Sequence, residues 1–157
     1  LVDYRKEIVL TLSKDDHMYL KMAEVVGKRS RDNLYKVGAV IANGNKILSY
    51  GWNGTPHGMI NETRDGAGNT KWEVVHAEAN AIAKLAASTS SSEGATLYLT
   101  YSPCKECTKL ILQAGIKRLV YDQVYCKPSK ELDLRVPDTE PLELLKKYGV
   151  EIASDRD

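Results

Sequence analysis

Two short stretches of the chain carry side chains that could do chemistry together: His76-Ala77-Glu78 and Pro103-Cys104-Lys105-Glu106-Cys107. Cys104 and Cys107 are three positions apart. On a helix that spacing puts both side chains on one face, roughly 5–6 Å apart. Two thiolates so placed reach one zinc ion at about 2.3 Å each. Pro103 opens the helix, so both thiols fall in its first turn, where free N–H groups and the helix dipole favour the thiolate. His76, from the start of a second helix, adds a third ligand. Three protein ligands leave the fourth tetrahedral position to water, as in a catalytic zinc site. Glu78 shares the first turn with His76 and is placed to carry protons beside the metal without binding it.

Each motif alone has a plainer reading. A Cys-x-x-Cys pair also serves in redox chemistry or as half of a structural zinc site. A lone His in an apolar helix is more often a core or surface residue, and a helical Glu is ordinarily a solvated carboxylate. Joined, they point to metal-assisted hydrolysis. The His-x-Glu and Pro-Cys-x-x-Cys pair is the signature of zinc nucleobase deaminases.

The elements that must hold these residues follow from patterning. Ser13 reads as an N-cap before a helix over 14–29, where Met18, Met22, Val25 and Val26 recur at helical spacing. Lys36–Ala42 and Lys46–Gly51 read as strands joined by an Asn43-Gly44 hairpin turn. Residues 52–72 form a long irregular stretch, of a kind that is usually functional or mobile in a compact domain. Val74–Ala87 reads as a helix, Thr96–Thr100 as a strand, and Pro103 and Gly115 bracket the second zinc helix. A strand over Ile116–Tyr121, a loop over Tyr125–Asp138, a helix over Glu140–Tyr148 and a strand over Val150–Ala153 complete the chain. Strand–helix–strand units imply parallel neighbours with helices packed across the sheet, an α/β fold in one domain over 1–157.

Composition narrows the partners. The 157 residues are 43% hydrophobic and 27% charged, which is globular and not disordered. A net charge of +1 argues against a nucleic acid polymer, which calls for a clear basic excess; a mononucleotide needs only two or three cations. Three cysteines and no apolar secretory stretch point away from a disulfide framework and towards the cytoplasm. No apolar run reaches the length of a membrane span.

Further segments carry a family resemblance from about Lys14 to Tyr121. They are Arg29-Ser30-Arg31-Asp32, Lys36-Val37-Gly38-Ala39-Val40-Ile41, Gly51-Trp52-Asn53-Gly54-Thr55-Pro56-His57-Gly58, His76-Ala77-Glu78-Ala79-Asn80-Ala81-Ile82 and the run from Pro103 to Tyr121. Together they resemble the deoxycytidylate (dCMP) deaminase family of the cytidine deaminase superfamily. The resemblance implies a three-layer α/β/α cytidine deaminase-like fold, with a mixed five-stranded sheet flanked by helices. It implies one catalytic Zn2+ on His76, Cys104 and Cys107, with Glu78 as proton carrier in the hydrolysis of dCMP to dUMP and ammonia.

By the same resemblance Asn53 holds the sugar 3′-hydroxyl, the Ala77 N–H meets the base O2, and Val37 lies under the base. Tyr125 closes the pocket near the phosphate, with Arg29 a candidate cation. Arg31, Lys36 and Lys127 are further candidates, though each basic residue is more often a surface charge. Val37 could equally be ordinary core, and Asn53-Gly54 a common turn pair. Allosteric members of the family are activated by dCTP and inhibited by dTTP, commonly as hexamers. Their effector loop matches Gly51, Trp52, Asn53 and Gly54, with Mg2+ expected beside a bound dCTP. Trp52 stands where the family has Tyr, which keeps an aromatic face and loses a hydroxyl. His57 without any Cys in residues 52–75 implies no second, structural zinc. The rivals are a tRNA adenosine deaminase, a deaminase of 5-substituted dCMP or of cytidine, cytosine or a riboflavin precursor, and a non-catalytic zinc-binding domain.

Overall fold

A computed structural model describes residues 11–129 and 134–156. The chain runs α1 (Lys14–Gly27), β1 (Gly38–Asn43), β2 (Lys46–Trp52), α2 (Ala77–Ala86), β3 (Thr96–Tyr101), α3 (Lys105–Gln113) and β4 (Arg118–Gln123). A short ribbon follows, β5 (Cys126–Pro128) and β6 (Arg135–Pro137), then α4 (Glu140–Lys147) and β7 (Glu151–Ser154). Five strands form one sheet in the order β2-β1-β3-β4-β7. β1 is antiparallel to both β2 and β3, whereas β3, β4 and β7 are parallel.

Period-two alternation sorts the sheet's side chains onto two faces. Val40, Ala42, Tyr98, Val120 and Ala153 meet Tyr19, Leu20 and Ala23 of α1. Ala39, Ile41, Leu97, Leu99, Leu119 and Tyr121 meet α2, α3 and α4 through Ala81, Leu85, Ile111, Leu142 and Leu145. One helix therefore covers one face and three cover the other, the expected α/β/α sandwich. Among the described residues, no helix is long and apolar enough to cross a membrane.

α1 begins with a capping box. The Ser13 hydroxyl accepts from the Asp16 N–H at 3.1 Å, and the Asp16 carboxylate accepts from the Ser13 N–H at 2.9 Å. α1 also packs unusually close to the sheet. A Cβ on Gly38 would lie 1.8 Å from the Ala23 carbonyl oxygen and 2.6 Å from the Gly27 nitrogen. Gly38→Ala is therefore expected to push α1 off β1, costing about 1–3 kcal/mol. The check is thermal unfolding: a Tm lower by at least a few degrees is expected, and an unchanged Tm would mean that α1 shifts freely.

Three local readings need correction. The hairpin tip is Gly44-Asn45, not Asn43-Gly44, because Asn43 pairs with Lys46 and a bulge between Ile41 and Ala42 moves the register. Gly44 takes φ +58°, which suits a tight hairpin turn. The second helix starts at Ala77 and not Val74, because Val75 is drawn into an antiparallel bridge with Gly54. Residues 125–138 are not wholly loop: Cys126–Pro128 pairs antiparallel with Arg135–Pro137.

Candidate active site

Two helix N-termini are aimed at one place. His76 caps α2 in an extended conformation (φ −67°, ψ 157°), and Cys104 caps α3 in another (φ −79°, ψ 172°). The start of α2 is fixed by close approach. A Cβ on Gly51 would come within 2.7 Å of the Ala77 oxygen and of the Ala81 nitrogen, so α2 rests directly on β2. The Asn80 side chain donates to the Trp52 carbonyl at 2.7 Å, and Gly54 and Val75 exchange two backbone hydrogen bonds.

The consequence is a tight trio. His76 Nδ1 lies 3.5 Å from Cys104 Sγ and 3.4 Å from Cys107 Sγ, and the three atoms fall within 4.8 Å of one another. Tetrahedral ligands at zinc bond lengths stand about 3.4–3.8 Å apart, so the donor set fits that ion. Cys107 is buried and Cys104 half-buried. The Cys104 thiol is held down to about 4 by its hydrogen bond with Cys107, aided by His76 and opposed by burial. Cys107 moves up, chiefly through its bond with Cys104 and further through burial. His76 is raised, chiefly by its contact with Cys104.

Glu78 is 4% exposed, and burial pushes its carboxyl up. The solvated-carboxylate reading of Glu78 therefore fails on its surroundings. It lines a cavity of about 120 Å³ together with His76, Ala77 and Cys104. Val37, Asn53, Tyr101, Ser102 and Tyr125 supply further wall, and Asp32, Tyr35, Arg64, Thr70 and Val74 come from the loops. Asn53 is pinned: its carbonyl oxygen accepts from the Val37 N–H at 2.9 Å, and its amide donates to the Tyr35 carbonyl at 2.8 Å. The Ala77 N–H belongs to the first turn, which the helix's own bonding leaves free.

Not every expected residue meets at this cavity. Arg29 does not line it; its guanidinium lies 5.2 Å from the centre of the Trp52 ring. The four loop residues Gly51, Trp52, Asn53 and Gly54 are split. Asn53 faces the cavity and Gly51 lies under α2, while Trp52 and Gly54 line a separate depression with His57, Asn80 and Lys84.

Sequence reasoning gave no role to Asp32, Tyr35, Arg64 or Tyr101. Asp32 is 1% exposed; its Oδ1 accepts from the Leu34 and Tyr35 N–H groups and from Arg64 at 2.8 Å each. The Arg64–Asp32 pair fastens the 62–70 loop beside the cavity. The tyrosines pack edge to face, Tyr35 to Tyr101 at 5.5 Å and Tyr35 to Tyr125 at 5.9 Å. A lone acid among Lys28, Arg29, Arg31 and Lys36 was the available signal for Asp32; nothing local marks Arg64.

Comparison with known proteins agrees with this geometry. Residues 13–123 match the cytidine and deoxycytidylate deaminase zinc-binding region. The chain is 31% identical over 174 aligned positions to the deoxycytidylate deaminase of Enterobacteria phage T2, covering 85% of this chain and 88% of that one. It is 36% identical over 121 positions to the human deoxycytidylate deaminase, covering 69% and 67%. The crystal structure of the dCMP deaminase from cyanophage S-TIM5 with dCMP and dUMP superposes with a TM-score of 0.79 at 34% identity, covering 92% and 99%. The chain belongs to the cytidine and deoxycytidylate deaminase family.

Proposed function

We propose that the chain, as a single domain, hydrolyses dCMP to dUMP and ammonia at a zinc ion held by His76, Cys104 and Cys107. The observation that carries this reading is a buried Glu78 beside a His/Cys/Cys trio on the wall of one cavity. The solved neighbour that binds dCMP and dUMP supports the choice of substrate. Zinc, when bound, supplies Lewis-acid activation of the attacking water.

The rest falls to the chain's own residues. Glu78 takes a proton from that water, gives it to N3 of the cytosine, and later assists the departing ammonia. Burial moves its carboxyl up, towards holding a proton, which suits a group that both takes and gives one. Val37 lies against the base and the Ala77 N–H meets O2. Asn53, with one amide hydrogen left beyond its bond to Tyr35, takes the sugar hydroxyl. Tyr125 stands at the phosphate end. The product is a precursor for thymidylate synthesis, which fits a cytoplasmic enzyme.

Regulation by dCTP with Mg2+ as activator, and by dTTP as inhibitor, belongs to the depression at Trp52, most naturally in a homo-oligomer such as a hexamer. Lys84 Nζ lies 4.6 Å from the Tyr50 ring centre and 4.9 Å from that of Trp52, with Arg29 over Trp52 as well. Two cations beside one indole suit a polyphosphate bearing a base.

The test is ammonia release from zinc-loaded protein with dCMP, deoxycytidine, cytosine and a tRNA anticodon stem-loop, each with and without dCTP. Turnover of dCMP is expected. Activity on the stem-loop alone would overturn the substrate assignment. Dialysis against a chelator should reduce dCMP turnover to background, and one equivalent of Zn2+ should restore it. Full activity in metal-free protein would remove the metal from the mechanism.

A further inference from the structure

The β5–β6 ribbon lies beyond residues 13–123, the segment matched to the zinc-binding region, yet it is rooted in the cavity wall. Ser102, which lines the cavity, accepts from the Tyr125 N–H at 2.9 Å, and the Asp138 N–H donates to the Tyr125 carbonyl at 2.8 Å. The open end of the ribbon, where Cys126 pairs with Pro137, is thereby tied to Tyr125. From β6, Arg135 reaches back across the ribbon and donates through Nη2 to the Cys126 carbonyl. Its guanidinium carbon sits 5.0 Å from the ring centre of Tyr35 and 5.8 Å from that of Tyr125. Both rings line the cavity.

Three cations lie in this neighbourhood, and their partners separate them. Arg64 is held by the buried Asp32 at 2.8 Å. Lys127 is held by the buried Asp138 at 2.9 Å. Arg135 has no carboxylate within ion-pair distance among the described residues. Its remaining N–H donors form a planar fork, which matches the oxygens of a phosphate in a two-point contact. Stacking on two tyrosines restricts the side chain before any ligand arrives, so less freedom is lost on binding.

We propose that Arg135 binds the 5′-phosphate of the substrate and so selects a nucleotide over the corresponding nucleoside. The inference rests on the reading of the cavity as a cytosine nucleotide site. It adds that the selectivity comes from a residue of the β5–β6 ribbon.

The experiment compares wild type, Arg135→Ala and Arg135→Lys in two ways. The first is kcat/KM for dCMP and for deoxycytidine. The second is calorimetric binding of dUMP and of deoxyuridine, which needs no turnover. Arg135→Ala should lower kcat/KM for dCMP and affinity for dUMP by about 10–100-fold, the range for a lost charge-assisted hydrogen bond. The nucleosides, lacking the phosphate, should change by less than about twofold, and Arg135→Lys should recover part of the loss. Equal losses for nucleotide and nucleoside would overturn the proposal, because they would report a general disturbance of the cavity. Unchanged dCMP and dUMP values would overturn it too. If wild type releases no ammonia from dCMP, the proposed function fails, and the dUMP arm still decides the role of Arg135.

Discussion

Glu78→Gln protein should bind one equivalent of zinc as wild type does and lose dCMP turnover by at least about 10²–10⁴-fold, the usual worth of a positioned acid–base group. The amide keeps the size and shape of the carboxyl, so α2 and the cavity wall should stay in place. It cannot ferry a proton between the attacking water, N3 and the leaving amine. Glu78 is 4% exposed, so bulk water has poor access to act in its stead. Metal content by elemental analysis and ammonia release by coupled assay separate the two effects. Activity retained within a few-fold, with zinc bound, would take the proton shuttle away from Glu78. Loss of zinc along with activity would make the residue part of the metal's support.

Arg118→Ala should be strongly destabilising, and its cause is a buried charge left alone. Asp16 accepts from Arg118 at 2.6 and 3.0 Å, from the Tyr98 hydroxyl at 2.9 Å and from the Ser13 N–H at 2.9 Å. Arg118 also reaches Glu151 at 2.7 Å, so one guanidinium ties the start of α1 to β4 and β7. The side chains of Asp16 and Arg118 are only 5% and 23% exposed. Removing one partner of such a pair costs about 3–5 kcal/mol. For a domain of this size that lowers Tm by about 6–20 °C.

The same network predicts a pH dependence. Burial alone would raise the Asp16 carboxyl, but hydrogen bonds from Arg118, Ser13 and Tyr98 outweigh it and hold it well below its ordinary 3.8. A carboxyl depressed on folding stabilises the fold fully above its unfolded pKa and less as pH falls beneath it. Wild type should therefore lose stability below about pH 4. Asp16→Asn should start less stable, and its deficit should shrink between pH 5 and pH 2, read from urea midpoints. A deficit that stays constant with pH would show that the carboxylate's charge does not matter.

The convergence of His76, Cys104 and Cys107 was legible because it rests on local rules. Cys-x-x-Cys after a proline and His-x-Glu before an alanine-rich run each fix geometry within one helical turn. The parallel strands were legible from the alternation of helix and strand. What stayed hidden depends on contacts far apart in the chain. Arg64 finds Asp32 across 32 positions through a loop without periodicity. Arg135 stacks on Tyr35 from the opposite end of the chain. The ribbon strands are three residues each and both end in proline, too short and too poor in strand formers to read as strands. Val74 and Val75 look like a first helical turn by their apolar character, yet Val75 is drawn to Gly54. Arg29 opens the family-like Arg-Ser-Arg-Asp segment, but the turn after α1 carries it to Trp52.

The pinning of Asn53 also bears on how the protein ages. Asn followed by Gly is the dipeptide most prone to self-cyclise, by attack of the glycine nitrogen on the side-chain carbonyl carbon. At Asn53 both ends of the amide are tied to backbone, and the Gly54 N–H is engaged with Val75. The attacking nitrogen and its target are thus held in separate hydrogen bonds. Asn43 has the same glycine neighbour but lies exposed beside the hairpin tip, without that restraint on its side chain. Spontaneous chemical damage is therefore expected first at Asn43, at the end of β1 and away from the cavity, before it reaches the amide in the cavity wall.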